Sequence, residues 1–235
     1  MKVLVIGGMH GNEPLGIELV RRLNARPVKN VDAVLANLPA INANRRFTDE
    51  DLNRSFPGDT ASASYVLRRA AELIKLSQSY DIVLDFHNTH CPGNDCSFIG
   101  AGTQSRLFDV SSWCGLKRVI VADYNCINKY ASNCVSIEIS LNSPQNYVEF
   151  WYEKVSKLAE LENIRLQPPV ETFRFVYRMT LEDKRRFDLE KYNLKAFQPL
   201  PLGLAEKLKV ASPAYPIFIG DAYTPYNYGG LLNKL

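Results

Sequence analysis

The chain has only three histidines, and two of them stand close to carboxylates. His10 and Glu13 lie three positions apart in "GGMHGNEPLG", residues 7 to 16, directly after the apolar run "KVLVI". His87 closes the run "YDIVLDFH", with Asp85 two positions before it. A His, a Glu and a second His, with one coordination position left to water, form a catalytic zinc set. Imidazole and carboxylate suit the borderline softness of Zn2+, and three ligands leave room for a reacting water. Residues two apart on a strand share a face, so Asp85 can accept the second imidazole N–H of His87 and fix its tautomer. Each residue also has an ordinary reading, since lone histidines usually pack or solvate and a Glu in a first helical turn is favoured by the helix dipole alone. A rival set exists in "HNTHCPGNDC", where His87, His90, Cys91 and Cys96 could form a structural zinc clip, though with spacings unlike a usual finger or knuckle.

Strand ends must position these residues. "KVLVI" reads as a strand buried on both faces and closed by Gly7-Gly8. Pro14 suits a first helical turn, and Leu15, Leu19 and Leu23 form one helical stripe. "VDAVLANLP" (31–39) is a second strand ended by Pro39, followed by a polar segment too long for a routine loop. A helix is expected in "SYVLRRAAELIKLS". Strands are expected in "YDIVLDFH", "CSFIGAG", "LKRVIVAD" and "CVSIEIS", and a long helix in "NYVEFWYEKVSKLAELEN". Such alternation predicts an α/β fold: a mostly parallel mixed sheet covered by helices. "QPPVE" reads as a linker, giving residues 1–166 as the main domain and 167–235 as a small β-rich C-terminal domain capping the site. In open α/β sheets ligands sit beyond the carboxyl ends of strands, where His10, Glu13 and His87 fall.

With these segments assembled, the sequence resembles the aspartoacylase and succinylglutamate desuccinylase family of zinc carboxypeptidase-like hydrolases. "GGMHGNEPLG", "RFTDEDLNRSFPG", "YDIVLDFHNTH" and "KYASNCVSIEIS" resemble its motifs in the right order, with Met9 where Thr is usual. The resemblance implies that His10, Glu13 and His87 bind one Zn2+ per chain and that Glu138 is the general base and acid. It implies that Arg46 polarises the scissile carbonyl, and that Asn53 and Arg54 hold a substrate carboxylate. It also places Tyr130 at the substrate, with Tyr223 lining the channel. The implied reaction is hydrolysis of a small N-acyl amino acid, N-acetyl-L-aspartate first and N-succinylglutamate next. An Arg expected after the tyrosine is replaced by Cys134, which weakens the aspartate reading. By residue type alone, Glu138 also fits an outward carboxylate on an alternating strand. Arg46 and Arg54 also fit solvated charges, and the C-terminal tyrosines also fit a packed small domain.

The totals exclude several classes. A net charge of +3 gives no case for nucleic acid or a membrane surface, and no apolar run reaches the roughly 18 residues of a membrane span. The N-terminus reads as a strand rather than a signal peptide. Five cysteines, an odd number, read as free thiols, pointing to a cytoplasmic protein. No Gly-x-Ser-x-Gly elbow is present. The partner expected is a small-molecule substrate. A zinc carboxypeptidase and a non-catalytic metal-stabilised binding protein remain alternatives, and a homo-oligomer is compatible with the sequence.

Overall fold

In the computed structural model, which describes residues 1–103, 105–164, 170–201, 203–222 and 227–235, nine strands form a single sheet. The first half of the chain runs β1 (Val3–Gly7), α1 (Pro14–Ala25), β2 (Val31–Leu35), α2 (Leu38–Ala43), α3 (Tyr65–Ser77) and β3 (Ile82–Thr89). Then follow β4 (Cys96–Gly100), α4 (Arg106–Trp113), β5 (Arg118–Ala122), α5 (Ile127–Tyr130), β6 (Cys134–Ser140) and α6 (Val148–Glu160). The C-terminal part adds β7 (Glu171–Thr180), α7 (Leu181–Phe187), α8 (Leu204–Lys207), β8 (Ala214–Ile217) and β9 (Asn227–Lys234).

The strand order is β2-β1-β3-β6-β4-β5-β7-β9-β8. Pairing is parallel from β2 through β6 and again from β4 through β7, whereas β4 meets β6 and β9 meets both β7 and β8 antiparallel. The mixed, mainly parallel sheet with helices is therefore as the sequence predicts. The central strands read as continuous apolar runs because both faces are covered. On one face α1 and α6 pack Leu15, Leu19, Trp151 and Val155 against Val5, Leu84 and Phe86; on the other, Leu52, Phe56, Val66 and Leu73 cover Leu4, Ile6 and Val83.

Several boundaries differ from expectation. β2 ends at Leu35, and Pro39 lies in the first turn of α2, whose Asn37 cap accepts the Ala40 N–H at 3.3 Å. The expected polar loop therefore begins as helix, and it later makes a 3-10 turn at Leu52–Arg54. α4, α5 and β9 were not apparent in the sequence. The expected linker falls largely on residues 165–169, outside the described residues. Beyond it, β7 pairs with β5 and continues the same sheet, while Met179, Leu189, Leu204 and Leu231 build a separate apolar cluster. All five cysteines are free and buried. Among the described residues, no helix is long and apolar enough to cross a membrane.

Candidate metal centre and substrate cavity

Register explains why distant residues converge. β1 and β3 are parallel neighbours with Gly7 opposite Phe86, so the turn that leaves β1 lands beside His87. Gly8, at φ +71°, makes that turn. Met9, where the resemblance expects Thr, is fully buried beside Leu52 and Phe56. β6 lies on the other side of β3, with His87 opposite Glu138 and Asp85 opposite Ser136.

His10, Glu13 and His87 are all buried, and their ligand atoms lie within 4.8 Å of one another. Glu13 places Oε1 2.7 Å from His10 Nδ1 and Oε2 2.9 Å from His87 Nδ1. The second nitrogen of each ring is anchored: His87 Nε2 donates to Asp85 Oδ2 at 2.8 Å, and His10 Nε2 lies 3.3 Å from Asp51 Oδ1. Both imidazoles thus turn Nδ1 toward Glu13 while a carboxylate holds the other nitrogen, an arrangement that leaves one nitrogen of each ring aimed at a common point. Burial alone raises the Glu13 carboxyl, but the adjacent imidazoles overcome it and hold Glu13 well below the usual carboxylate range. For His87, burial opposes the charge, and Asp85 and Glu13 outweigh it, raising the imidazole above its ordinary value. Burial is likewise overcome at Asp51, where His10 is the main counterweight and Arg46 and Arg54 assist. Converging, anchored and buried, this donor set fits a divalent ion such as zinc.

Among the described residues, this is the one such group. The rival clip is not brought together: Cys91 Sγ points to the Ile219 carbonyl at 3.3 Å, and Cys96 lies opposite Glu138 in the sheet.

The His10–Glu13–His87 set opens into a cavity that is also lined by Glu138, Arg46, Asn53 and Arg54. Burial holds Glu138 well above the usual range; His87 and Arg46 oppose the shift, while Glu13 and Asp221 add to it. Arg46 Nη1 lies 3.4 Å from Glu13 Oε1, and the Arg54 guanidinium lies over the Tyr124 ring at 5.0 Å. The Oδ1 atom of Asn53 is buried without a partner among the described residues.

Tyr130 is not brought to the cavity. In the short helix α5, Ile127 and Asn128 face inward, so Tyr130 faces outward, where its hydroxyl meets Asn125 Oδ1 at 2.9 Å. The tyrosine in the wall is Tyr124. It follows β5 by two residues, so the strand-end rule that found His10 could have found it. Tyr223 lies outside the described residues. Tyr228 packs in the C-terminal cluster and Tyr215 against Phe173. Cys134 is fully buried, and a cation from another strand, Arg178 of β7, lines the cavity. Phe98, Phe175 and Phe218 complete an aromatic wall with Tyr124. Phe98 and Phe218 are nearly parallel at 6.1 Å, and Tyr124 meets Phe175 edge-on at 5.6 Å. No sequence spacing joins these residues; the order of the strands does.

These features define an α/β protein with a buried His-Glu-His ligand set at the carboxyl ends of its central strands. The family model of the succinylglutamate desuccinylase/aspartoacylase catalytic domain matches residues 1–137, and the chain belongs to that family. An N-acyl-aromatic-L-amino acid amidohydrolase (carboxylate-forming) of Rattus norvegicus is 39% identical over 114 residues, 41% of this chain and 36% of the relative. An aspartoacylase of Danio rerio is 34% identical over 106 residues, 37% of this chain and 34% of the relative. The matched stretch thus spans about a third of these curated relatives. The solved succinylglutamate desuccinylase of Chromobacterium violaceum superposes with a TM-score of 0.72 at 19% identity, covering 99% of this chain and 84% of that one, a likeness of fold.

Proposed function

We propose that the chain is a zinc-dependent amidohydrolase that cleaves a small N-acyl amino acid into a carboxylate and a free amino acid. The observation carrying this reading is that Glu138 of β6 is the register partner of His87 of β3, and that it opens into one cavity with the His10–Glu13–His87 set. Zinc, when bound, is a Lewis acid that polarises a carbonyl and acidifies water. Glu138 takes the proton of the attacking water and hands it to the leaving amine as the C–N bond breaks. Arg46 directs its guanidinium toward the oxygen that gains charge. Asn53 and Arg54 hold the substrate's α-carboxylate, a match to the planar fork of guanidinium. In this reading residues 1–166 carry the ion and the base, and residues 167–235 cap the cavity.

The aromatic wall favours an apolar ring as the amino-acid side chain, and the name of the rat relative agrees with it. A second reading, N-acetyl-L-aspartate, draws on Arg178, a cation in the wall with no ion pair among the described residues. N-succinylglutamate draws on the same cation. The test is release of amine from N-acetyl-L-phenylalanine, N-acetyl-L-aspartate and N-succinyl-L-glutamate by the zinc-loaded protein. Preferential turnover of the first is expected. No turnover of a broader N-acyl panel by protein holding one zinc would replace the enzyme reading with that of a metal-stabilised binding protein.

A further inference from the structure

Ser136 lines the cavity two residues before Glu138, but its hydroxyl is engaged inside the protein. Its Oγ lies 2.9 Å from Asp85 Oδ2 and 2.9 Å from Asn128 Oδ1. The orientation of Asn128 is fixed, because Nδ2 donates to the carbonyls of Phe98 and Cys134, each at 3.1 Å, so Oδ1 must face the serine. One hydroxyl proton therefore serves two acceptors and does not point to a substrate. The question is what its bond to Asp85 does.

Asp85 has no exposure, and its Oδ1 is buried without a partner among the described residues. Among those residues, the side chains that hold this carboxylate act on Oδ2: the His87 Nε2–H at 2.8 Å and the Ser136 hydroxyl at 2.9 Å. Without the serine, His87 is the one side-chain anchor left to the carboxylate among the described residues, and the pair can turn together. The register supports a built arrangement, since Asp85 and Ser136 are direct partners across β3 and β6, with His87 and Glu138 the next pair on the same face. We propose that Ser136, oriented by Asn128, is a positioning residue for the metal ligand His87, acting through Asp85. The chain Asn128–Ser136–Asp85–His87 ties α5 and β6 to the aim of one ring nitrogen. The proposal rests on the metal reading of His10, Glu13 and His87.

The experiment measures the zinc dissociation constant of the full chain by chelator competition, for wild type, Ser136→Ala, Ser136→Thr and His87→Ala. Removal of an outer partner of a ligating histidine typically costs 10–100-fold in affinity. Ser136 stands one hydrogen bond further out than Asp85, so Ser136→Ala is expected at the low end of that range, binding zinc about tenfold more weakly, with the melting temperature of its metal-free form unchanged. Ser136→Thr, which keeps the hydroxyl, is expected to restore affinity. The cobalt(II) absorption bands are expected to shift in the alanine variant alone, and kcat to fall with KM unchanged. If Ser136→Ala does not fold, Ser136→Cys, of similar volume with a weaker donor, carries the same prediction. Ser136→Ala with wild-type zinc affinity, while His87→Ala loses it, overturns the positioning role alone. His87→Ala binding zinc as wild type does overturns the metal reading itself.

Discussion

Glu138 and Arg178 line one cavity, and each makes a separable prediction. Glu138 touches none of the three ligand residues through a hydrogen bond, so changing it to Gln preserves shape and leaves the donor set intact. Positioned proton transfer contributes about 10²- to 10⁴-fold to rate. Glu138→Gln should therefore lose at least about a hundredfold in kcat while zinc content, read by atomic absorption, stays at one per chain. Arg178 separates the two substrate readings. A charge-assisted hydrogen bond is worth about 1.5–3 kcal/mol, roughly 10- to 150-fold. Arg178→Met should lower kcat/KM by about tenfold or more for N-acetyl-L-aspartate and N-succinyl-L-glutamate, and leave N-acetyl-L-phenylalanine nearly unchanged. Equal losses on all three would show that Arg178 does not read the second carboxylate.

Among the elements, the approach of α1 to the sheet fixes the turn that carries His10 and Glu13. A Cβ on Gly16 would stand 2.8 Å from the Cβ of Phe86 and 3.0 Å from both the Phe86 carbonyl oxygen and Gly7 Cα. None of these atoms can swing aside. Alanine favours a helix by about 1 kcal/mol over glycine, but overpacking costs about 1–3 kcal/mol, so the clash should win. Gly16→Ala is expected to lower the urea midpoint by the equivalent of about 1 kcal/mol and to weaken zinc binding, because α1 must lift and take Glu13 with it. An unchanged or raised midpoint would mean that helix and sheet close less tightly than the contacts imply. This close packing also marks what the sequence makes legible. Short apolar runs mark β1, β3 and β6, and the strand-end rule singles out His10, Glu13 and His87, since those signals are local. β9 is hidden because Gly229 and Gly230 interrupt its pattern, and Tyr130 is placed only by the resemblance, since a four-residue helix leaves no periodicity from which to read its inward and outward positions. Arg178, Phe98, Phe175 and Phe218 are illegible for a different reason: they meet only through the strand order β4-β5-β7-β9-β8.

Over the whole molecule, five buried thiols spread from Cys91 to Cys134 make stability depend on alkaline pH. Burial pushes the Cys114 thiol up to about 12 from its ordinary 9.0, with Lys154 only partly opposing it, and burial is likewise the main cause for Cys91, pushed up to about 11. Cys96 and Cys134 are raised well above the ordinary value and Cys126 is raised as well, in each case chiefly by burial. An acid whose folded value lies above its unfolded value keeps its proton in the fold while the unfolded chain releases it. Between the two values the unfolded state binds fewer protons, so stability is whole below about 9 and falls as pH rises toward the folded value. At pH 10, one unit above the unfolded value, each withheld ionisation costs roughly 1 kcal/mol. Several thiols together then reach the lower end of a domain's stability of about 5–15 kcal/mol. In reductant, the urea midpoint should drop markedly between pH 8 and pH 10. Tyrosines and lysines contribute to any alkaline loss, so the thiol share is isolated by Cys114→Ala, a substitution that starts less stable at pH 8 because it opens a small cavity. Its further loss on going to pH 10 should be smaller than that of the wild type by about 1 kcal/mol, because one of the protons withheld by the fold is gone. Parallel losses in the two proteins would mean that the Cys114 thiol ionises in place, which requires water to reach the packed face between α4 and α6.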